Sequence, residues 1–277
     1  KTVQELFCEA EFVRGVESEL IFLSALNIFL SVTAFLGNTL ILVALHKETS
    51  LHPPSKLLYR NLAITDLCVG IIVEPLFVSY WTSVVKERWD ICYYAELAAS
   101  FSGLTLCVVS LLTLTAISVD RLLALLLGLR YRQVVTYRRT CMTVTGFWIL
   151  SISPQLTVAY TKVFCTLRHN QIHVQNHVAQ GQTSQAIPAL NIARYRKVVY
   201  SALWVQGTLV ICYLPYVTVV ALQPQRVTSL SIYHAQQFTT TLVYLNSSLN
   251  PFLYCWKIRE VRQAVKVTLR QLFCRSS

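Results

Sequence analysis

Residues 97–119 read LAASFSGLTLCVVSLLTLTAISV, a stretch without one charged side chain, and charge returns at once with Asp120 and Arg121. A bilayer core of about 30 Å takes roughly 20 helical residues at about 1.5 Å rise each, so this segment is long enough to cross once. Five more apolar runs of comparable length flank it: 20–45, 62–85, 140–161, 198–222 and 227–256. The second of these carries two carboxylates, Asp66 and Glu74. Together the six runs hold more than half of the 277 residues, which no soluble core requires. The fold class expected is all-α, a polytopic transmembrane helical bundle with six full hydrophobic spans. No internal repeat and no Gly/Ser-rich linker divides the chain, so 1–277 reads as one membrane domain. Within it, 1–19 form the N-terminus, 20–256 the bundle and 257–277 a surface helix and tail.

Composition agrees. The chain is 54% hydrophobic and 13% charged, where soluble domains carry about 25% charged residues. That excludes disorder and disfavours an ordinary soluble enzyme. A net charge of +11 would suggest nucleic acid in a soluble protein, but here the basic residues cluster at the ends of apolar runs. The partner expected is therefore the lipid bilayer, not nucleic acid. Of 24 Lys and Arg residues only Lys1, Arg14, Lys86, Arg88 and Arg226 fall on one side; the opposite side includes Arg130, Arg132, Arg138 and Arg139 in one loop. The positive-inside rule makes that loop cytoplasmic and the N-terminus, with Glu5, Glu9, Glu11, Glu17 and Glu19, extracellular. A multi-pass membrane protein with a cytoplasmic C-terminus follows. Cys68, Cys107, Cys141, Cys212 and Cys255 lie inside apolar runs and read as packing residues.

Polar residues inside spans are costly and need an account. Asp66, Asn38, Ser110, Asn246 and Asn250 read as one buried cluster, either a structural hydrogen-bond network or a site for a cation. Pro215 and Pro251 each lack an N–H and would kink their helices. Beyond Tyr254, Ile258, Val261, Val265, Leu269, Leu272 and Phe273 recur at helical spacing against Lys257, Arg259, Arg262, Lys266 and Arg270, the pattern of an amphipathic helix on a membrane surface. His169, His173 and His177 would share one helical face, but no carboxylate or cysteine completes a metal site there, and a solvated helix extension is the expected reading. No His, Cys and carboxylate set converges as a catalytic site would require, so the chain is not expected to be an enzyme.

The motifs GN at Gly37 and Asn38, LAxxD ending at Asp66, SxxxLxxIxxDR ending at Asp120 and Arg121, Trp148, CYLP ending at Pro215, and NPxxY from Asn250 to Tyr254 occur in one order along most of the chain. In this the sequence resembles the rhodopsin-like (class A) G-protein-coupled receptors. The resemblance implies an intramembrane sodium and water pocket at Asp66, Ser110, Asn246 and Asn250, with no other cofactor and no metal beyond that sodium ion. It implies that Asp120 and Arg121 stand at the face met by a heterotrimeric G protein, with Pro215, Pro251 and Tyr254 in the activation machinery. Tyr213 occupies the position where the family usually has a rotamer-switching Trp. The partners implied are a G protein and an extracellular ligand of unknown identity. Gly103 and Leu104 stand where amine receptors present an aspartate, and Tyr244 where a retinal-binding member would need a lysine. Glu74, two turns outward of Asp66, is then the remaining carboxylate of the ligand pocket. Cys274, at the end of the amphipathic helix, is a candidate for palmitoylation as a second membrane anchor, with an unmodified cysteine the alternative; the wording YCWKIREVRQAV is similar to the tail helix of the melanocortin, adenosine and cannabinoid group.

The family has seven spans, and six runs are found here. Two crossings need roughly 40 residues plus a loop, more than 140–167 supplies. Parts of the fourth and fifth spans and the loop between them are therefore expected to be missing, with a join near Ser153 and Pro154. A single crossing there would invert every later segment, whereas a re-entrant segment breaking at Pro154 would keep the basic tail inside. The same loss leaves Cys92 without its usual loop partner and points to Cys8, the other cysteine expected outside, for a disulfide. Tyr195 stands where some receptors carry an acid pairing with the Arg121 equivalent, which predicts elevated basal activity. The first reading is a receptor. A receptor-derived membrane protein that inserts without signalling is the alternative, and a small transporter or channel the third, disfavoured by the absence of inverted repeats.

Overall fold

A run that is apolar for more than two dozen residues hides its backbone polar groups from lipid by closing them into helical hydrogen bonds, and the elements observed are helices throughout. The structure, a computed structural model, describes Cys8 and residues 15–49, 51–167, 207–208, 210–222, 230–257 and 259–274. Helix α1 spans Glu17–Lys47 and α2 Pro53–Cys68, continuing through a π-helical turn, Val69–Val73, into α3, Glu74–Val85. Helix α4 spans Trp89–Leu127, followed by a 3-10 turn at Gly128–Arg130, a short α5 at Tyr131–Val134, and α6 at Tyr137–Leu167. Helices α7 (Val210–Leu222), α8 (Leu230–Lys257) and α9 (Arg259–Cys274) complete the described chain.

Local chemistry sets several of these features. Acidic Glu17 and Glu19 in the first turn of α1 and His46 and Lys47 in its last suit the helix dipole. Pro53 and Pro54 open α2, where a missing N–H costs nothing. In the π turn the Glu74 N–H reaches back five residues to the Val69 carbonyl. Pro75 has no N–H to repeat that bond with Gly70, and the Ser31 hydroxyl of α1 donates to the Gly70 carbonyl instead at 2.6 Å.

Contacts at the two ends fix helix direction. A disulfide joins Cys8, ahead of α1, to Cys92 in the first turn of α4, and Glu19 of α1 contacts His234 of α8. At the opposite end Ser55 of α2 donates to Asp120 of α4 at 2.8 Å, and Lys47 of α1 donates to Gln271 of α9 at 2.7 Å. Helices α1, α4 and α8 therefore run parallel, with α2 and α3 antiparallel to them. Consequently α9 lies at the same end as Arg121, not at the opposite end to which the count of crossings would carry it. Nor does the chain break at Pro154: α6 continues to Leu167.

The bundle is polar inside and apolar outside. Ile21, Phe22, Phe29 and Leu36 of α1 are each more than half exposed, while Asn27, Asn38, Asp66 and Asn250 are buried. Water would not sustain that inversion; a bilayer does. Six full spans are expected, and the described residues account for part of that count. Among the described residues three helical stretches, Glu17–Lys47, Pro53–Val85 and Trp89–Ala124, are long and apolar enough to cross a membrane, and Val210–Leu222 is a shorter apolar helix. Helices α6 and α8 have the length, but freedom from charge is not apolarity: α8 carries Gln236, Gln237, Thr239, Thr240, Thr241 and Asn246. In α9 the buried Val261, Ala264, Val265 and Thr268 form one stripe and the exposed Arg262, Lys266 and Arg270 the other. This is the amphipathic surface helix expected.

Helices α1 and α8 approach so closely at Gly37 that a Cβ there would stand 2.9 Å from Pro251 Cγ. Gly37→Ala should therefore lower stability by about 1–3 kcal/mol through overpacking, read as a lower thermal midpoint in detergent. Gly146→Ala is the control: a Cβ at Gly146 meets nothing within 4 Å, so it should be neutral or slightly stabilising, because alanine is the better helix former.

Candidate functional site

The middle of the bundle holds the polar cluster. Asp66 is fully buried. Its Oδ1 accepts from Ser110 Oγ of α4 at 3.2 Å and its Oδ2 from Asn250 Nδ2 of α8 at 2.7 Å. Thr65 lies 3.0 Å from the Ser110 hydroxyl. Asn38 of α1 donates to the Ser247 carbonyl at 3.1 Å, bringing the first helix into the same layer. Asn246 is buried, and among the described residues its amide nitrogen has no partner and no bond joins it to Asp66. Asp66, Ser110 and Thr65 supply oxygen atoms, the donor type that a hard cation such as sodium takes, so the residues present fit that ion.

Toward the α9 end, Asp120 accepts from Tyr131 at 2.6 Å and from Ser55 at 2.8 Å. Arg121 is held less by its neighbour, 3.9 Å away, than by Tyr59. Its Nε donates to the Tyr59 hydroxyl at 3.1 Å, and its guanidinium lies 5.4 Å from the ring centroid. Tyr59 in turn meets Tyr254 edge to face, with centroids 5.6 Å apart. Arg121, Tyr59 and Tyr254 thus connect α4, α2 and α8. Burial, and next its bond to Asp120, push the Tyr131 hydroxyl up to about 12, so it remains a protonated donor at physiological pH. Tyr131→Phe should cost about 1.5 kcal/mol by removing a hydrogen bond to a charged acceptor, measured by thermal unfolding at neutral pH; an unchanged midpoint would refute the assignment.

Toward the Cys92 end a cavity of about 300 Å³ opens between α3, α4, α7 and α8. Gly103, Leu104, Tyr213 and Tyr244 line it, together with Glu96 and Gln237. Gly103 is needed for Tyr244, whose hydroxyl occupies the space a Cβ would take. Glu74 is not in the lining; it is fully buried, and neither carboxylate oxygen has a hydrogen-bond partner among the described residues. The carboxylate in the wall is Glu96, which accepts from Ser100 at 2.9 Å. Its sequence signal was its position directly before the uncharged run 97–119, but defining that run by its lack of charge set Glu96 aside as a boundary. A second link unseen in the sequence is Asn61, which accepts from Trp148 Nε1 at 3.1 Å and donates to Thr113 at 2.8 Å, coupling α2, α6 and α4.

Pro215 lies half-buried in α7 and Pro251 inside α8 against Gly37. Tyr213 packs between the two core clusters of the bundle. Cys274 closes α9. His169, His173, His177 and Tyr195 lie outside the described residues.

A family model described as 7 transmembrane receptor (rhodopsin family) matches residues 37–157 and 153–254, two stretches that meet inside α6. The human 5-hydroxytryptamine receptor 1E is 25% identical over 57% of this chain and 45% of its own length. The 5-hydroxytryptamine receptor 1B of Spalax ehrenbergi is 30% identical over 49% of this chain and 34% of its own. The histamine H2 receptor of Cavia porcellus is 25% identical over 91% of this chain and 79% of its own. The chain thus spans less than half the length of the serotonin receptors it matches.

Proposed function

This chain belongs to the rhodopsin family of seven-transmembrane receptors, and from that premise we propose that it converts ligand binding in the cavity near Cys92 into activation of a heterotrimeric G protein at the Arg121 end. It is a multi-pass membrane receptor. The whole of 1–277 acts as one domain in this reading, with the N-terminus extracellular and α9 cytoplasmic. The two-part family match supports a chain shortened, relative to the family, near residue 153.

The observation that carries the reading is the Asp66 cluster, placed between the cavity and Arg121 and tying α2, α4 and α8 together. A ligand that binds one packing of these helices better than another shifts the population between them. Any such shift must redistribute the Asp66 bonds and the Tyr254 to Tyr59 to Arg121 contact, which changes what Arg121 presents to a partner. The cavity suits a small molecule. The similar receptors are named for amines, 5-hydroxytryptamine and histamine. Here Gly103 and Leu104 replace the aspartate of amine receptors, and the wall carboxylate, Glu96, stands about 10 Å, two helical turns, farther out. The ligand proposed is a small cationic or donor-bearing molecule whose polar group sits at that outer level.

The test is nucleotide exchange on a panel of heterotrimeric G proteins by the full chain in membranes, with and without a library of small cations. Exchange on at least one G protein, lost in Arg121→Ala, is expected. An inserted chain that drives no exchange on any of them refutes the proposal in favour of a receptor-derived protein that does not signal. Topology has its own check: an epitope after Ser277 should be detected only in permeabilised cells, and detection on intact cells overturns the orientation.

A further inference from the structure

The cavity between α3, α4, α7 and α8 is polar at one end only. Its wall on α4 runs from Glu96 through Leu104 and Val108 to Leu111, a length of about 22 Å at about 1.5 Å rise per residue. Glu96, Ser100 and Gln237 stand at the outer level, whereas Leu104, Val108, Leu111 and Val217 line the inner part. Two of these inner residues face both ways. Leu104 of α4 lines the cavity yet is 55% exposed, and Val217 of α7 lines it yet is 56% exposed. The cavity therefore has a side mouth between α4 and α7. Leu104 lies about 12 Å inward of Glu96 along the helix and inside the uncharged run 97–119, so the mouth opens on hydrocarbon rather than on water. Between α6 and α7 the sequence offers no further apolar span to cover it: residues 168–197 never run more than five positions without an Asn, Gln, His, Lys or Arg.

We propose that this cavity takes a single-chain cationic amphiphile, with its ammonium group at Glu96 and its hydrocarbon chain leaving between Leu104 and Val217 into the bilayer. The inference rests on the reading of this cavity as the ligand site and adds the apolar half of the ligand. Charge selects the head. Among the described residues that line the cavity Glu96 alone is charged, so an anionic head is repelled there. Tyr80 and Tyr216 in the same wall add aromatic surface, which favours a cation. The mouth selects the tail. A wholly polar cation would turn one flank to hydrocarbon at the level of Leu104, where an unsatisfied polar group is costly, whereas an alkyl chain meets apolar side chains inside and lipid outside. Volume agrees: about 300 Å³ is at the low end for a small-molecule site, room for a head and the start of one chain, and the mouth frees the rest of the chain from that limit.

The probe is hexadecylamine carrying a diazirine at its terminal carbon, illuminated with the full chain in phosphatidylcholine nanodiscs and its crosslinks mapped by peptide mass spectrometry. Crosslinks on α4 and α7 at residues bordering Leu104 and Val217 are expected, removed by excess dodecylamine but not by dodecanol or dodecyl sulfate at the same membrane concentration. Glu96→Gln should weaken capture roughly tenfold through the lost charge-assisted bond. Glu96→Asp should recover most of it, separating a lost site from a misfolded chain. Leu104→Trp and Val217→Trp each fill the mouth and should reduce labelling severalfold, while Leu36→Trp, on the exposed face of α1, should leave it unchanged. Labelling spread evenly over the outer faces of the bundle, unchanged labelling in both mouth variants, equal competition by dodecanol, or competition by butylamine as effective as dodecylamine would each overturn the proposal. No G protein enters the measurement. A chain that captures the amphiphile and never signals would refute the receptor reading and leave this one standing; exchange driven by soluble cations without capture would do the reverse.

Discussion

Asp66→Leu is expected to destabilise the folded chain by about 2–5 kcal/mol and to abolish signalling, the largest effect of any substitution at the inner polar layer. The reason lies in what remains rather than in what is removed. Leucine is close to aspartate in size, but it leaves the Asn250 amide and the Ser110 hydroxyl aimed at a carboxylate that no longer exists. Each buried donor without a partner costs about 1–3 kcal/mol. Hydrogen bonds between membrane helices average nearer 0.6 kcal/mol, because the unfolded chain in lipid also finds partners, so the lower half of the range is the better expectation if other helices relax. Thermal unfolding in detergent reads the stability arm directly. A midpoint within a degree of wild type would show that Asp66 does not organise this layer.

Asp66→Asn separates architecture from ion binding. It keeps the shape and one acceptor oxygen for Asn250 or Ser110 but removes the charge that a sodium ion requires. Wild type should gain thermal stability when potassium is exchanged for sodium, by about 1.4 kcal/mol if sodium stands at ten times its dissociation constant. The asparagine variant should gain nothing. Equal sodium response in both proteins would place the ion elsewhere or nowhere.

The ease with which this layer was read from sequence, and the difficulty elsewhere, have physical reasons. Asp66, Ser110 and Asn250 stand out because each interrupts an apolar run, and the cost of burying a polar group forces such residues to find one another. Glu74 stood out for the same reason, yet the sequence could not say which way it faces. The π turn at Val69–Val73 adds a residue to the preceding helical turn and so rotates everything after it, and it left Glu74 enclosed outside the cavity lining. Glu96, Gln236 and Gln237 went unread because they lie at the outer level, where a polar side chain needs no explanation. Asp120 and Arg121 were legible as a pair, but their partners were not: Tyr131 and Ser55 hold the aspartate and Tyr59 holds the arginine through tertiary contacts that no spacing encodes. Absence of charge is a weaker signal than apolarity, since the buried Gln237, Thr239, Thr240, Thr241 and Asn246 of α8 face a polar interior rather than lipid.

Trp81→Ala is expected to cost about 3 kcal/mol and to weaken ligand binding with it. Trp81 is fully buried among Phe77, Tyr80 and Tyr233 in the core near Cys92, and its Nε1 donates to Gln237 Oε1 of α8 at 2.9 Å. In a soluble core, Trp→Ala costs about 3–5 kcal/mol, part of it the transfer of apolar surface from water. Inside a bilayer that transfer contribution is small, because lipid is as apolar as the core. What remains is the cavity, the lost dispersion contacts and the orphaned glutamine, which places the expectation at the low end of the range. Gln237 also lines the cavity proposed to take the ligand, so losing its partner frees its side chain to rotate there. Two further variants divide the effect. Trp81→Phe keeps most of the volume and removes the donor, so it should cost about 1 kcal/mol while still disturbing the cavity; Gln237→Leu removes the acceptor and should leave the indole nitrogen unpaired at a similar cost. If Trp81→Phe is silent in both stability and ligand affinity while Trp81→Ala is not, packing alone matters and the bond between α3 and α8 has no part in shaping the site. If Trp81→Phe loses affinity at nearly unchanged stability, the indole positions Gln237 for the ligand, and the polar wall of the cavity is set from the second helical layer rather than by the residues that touch the ligand.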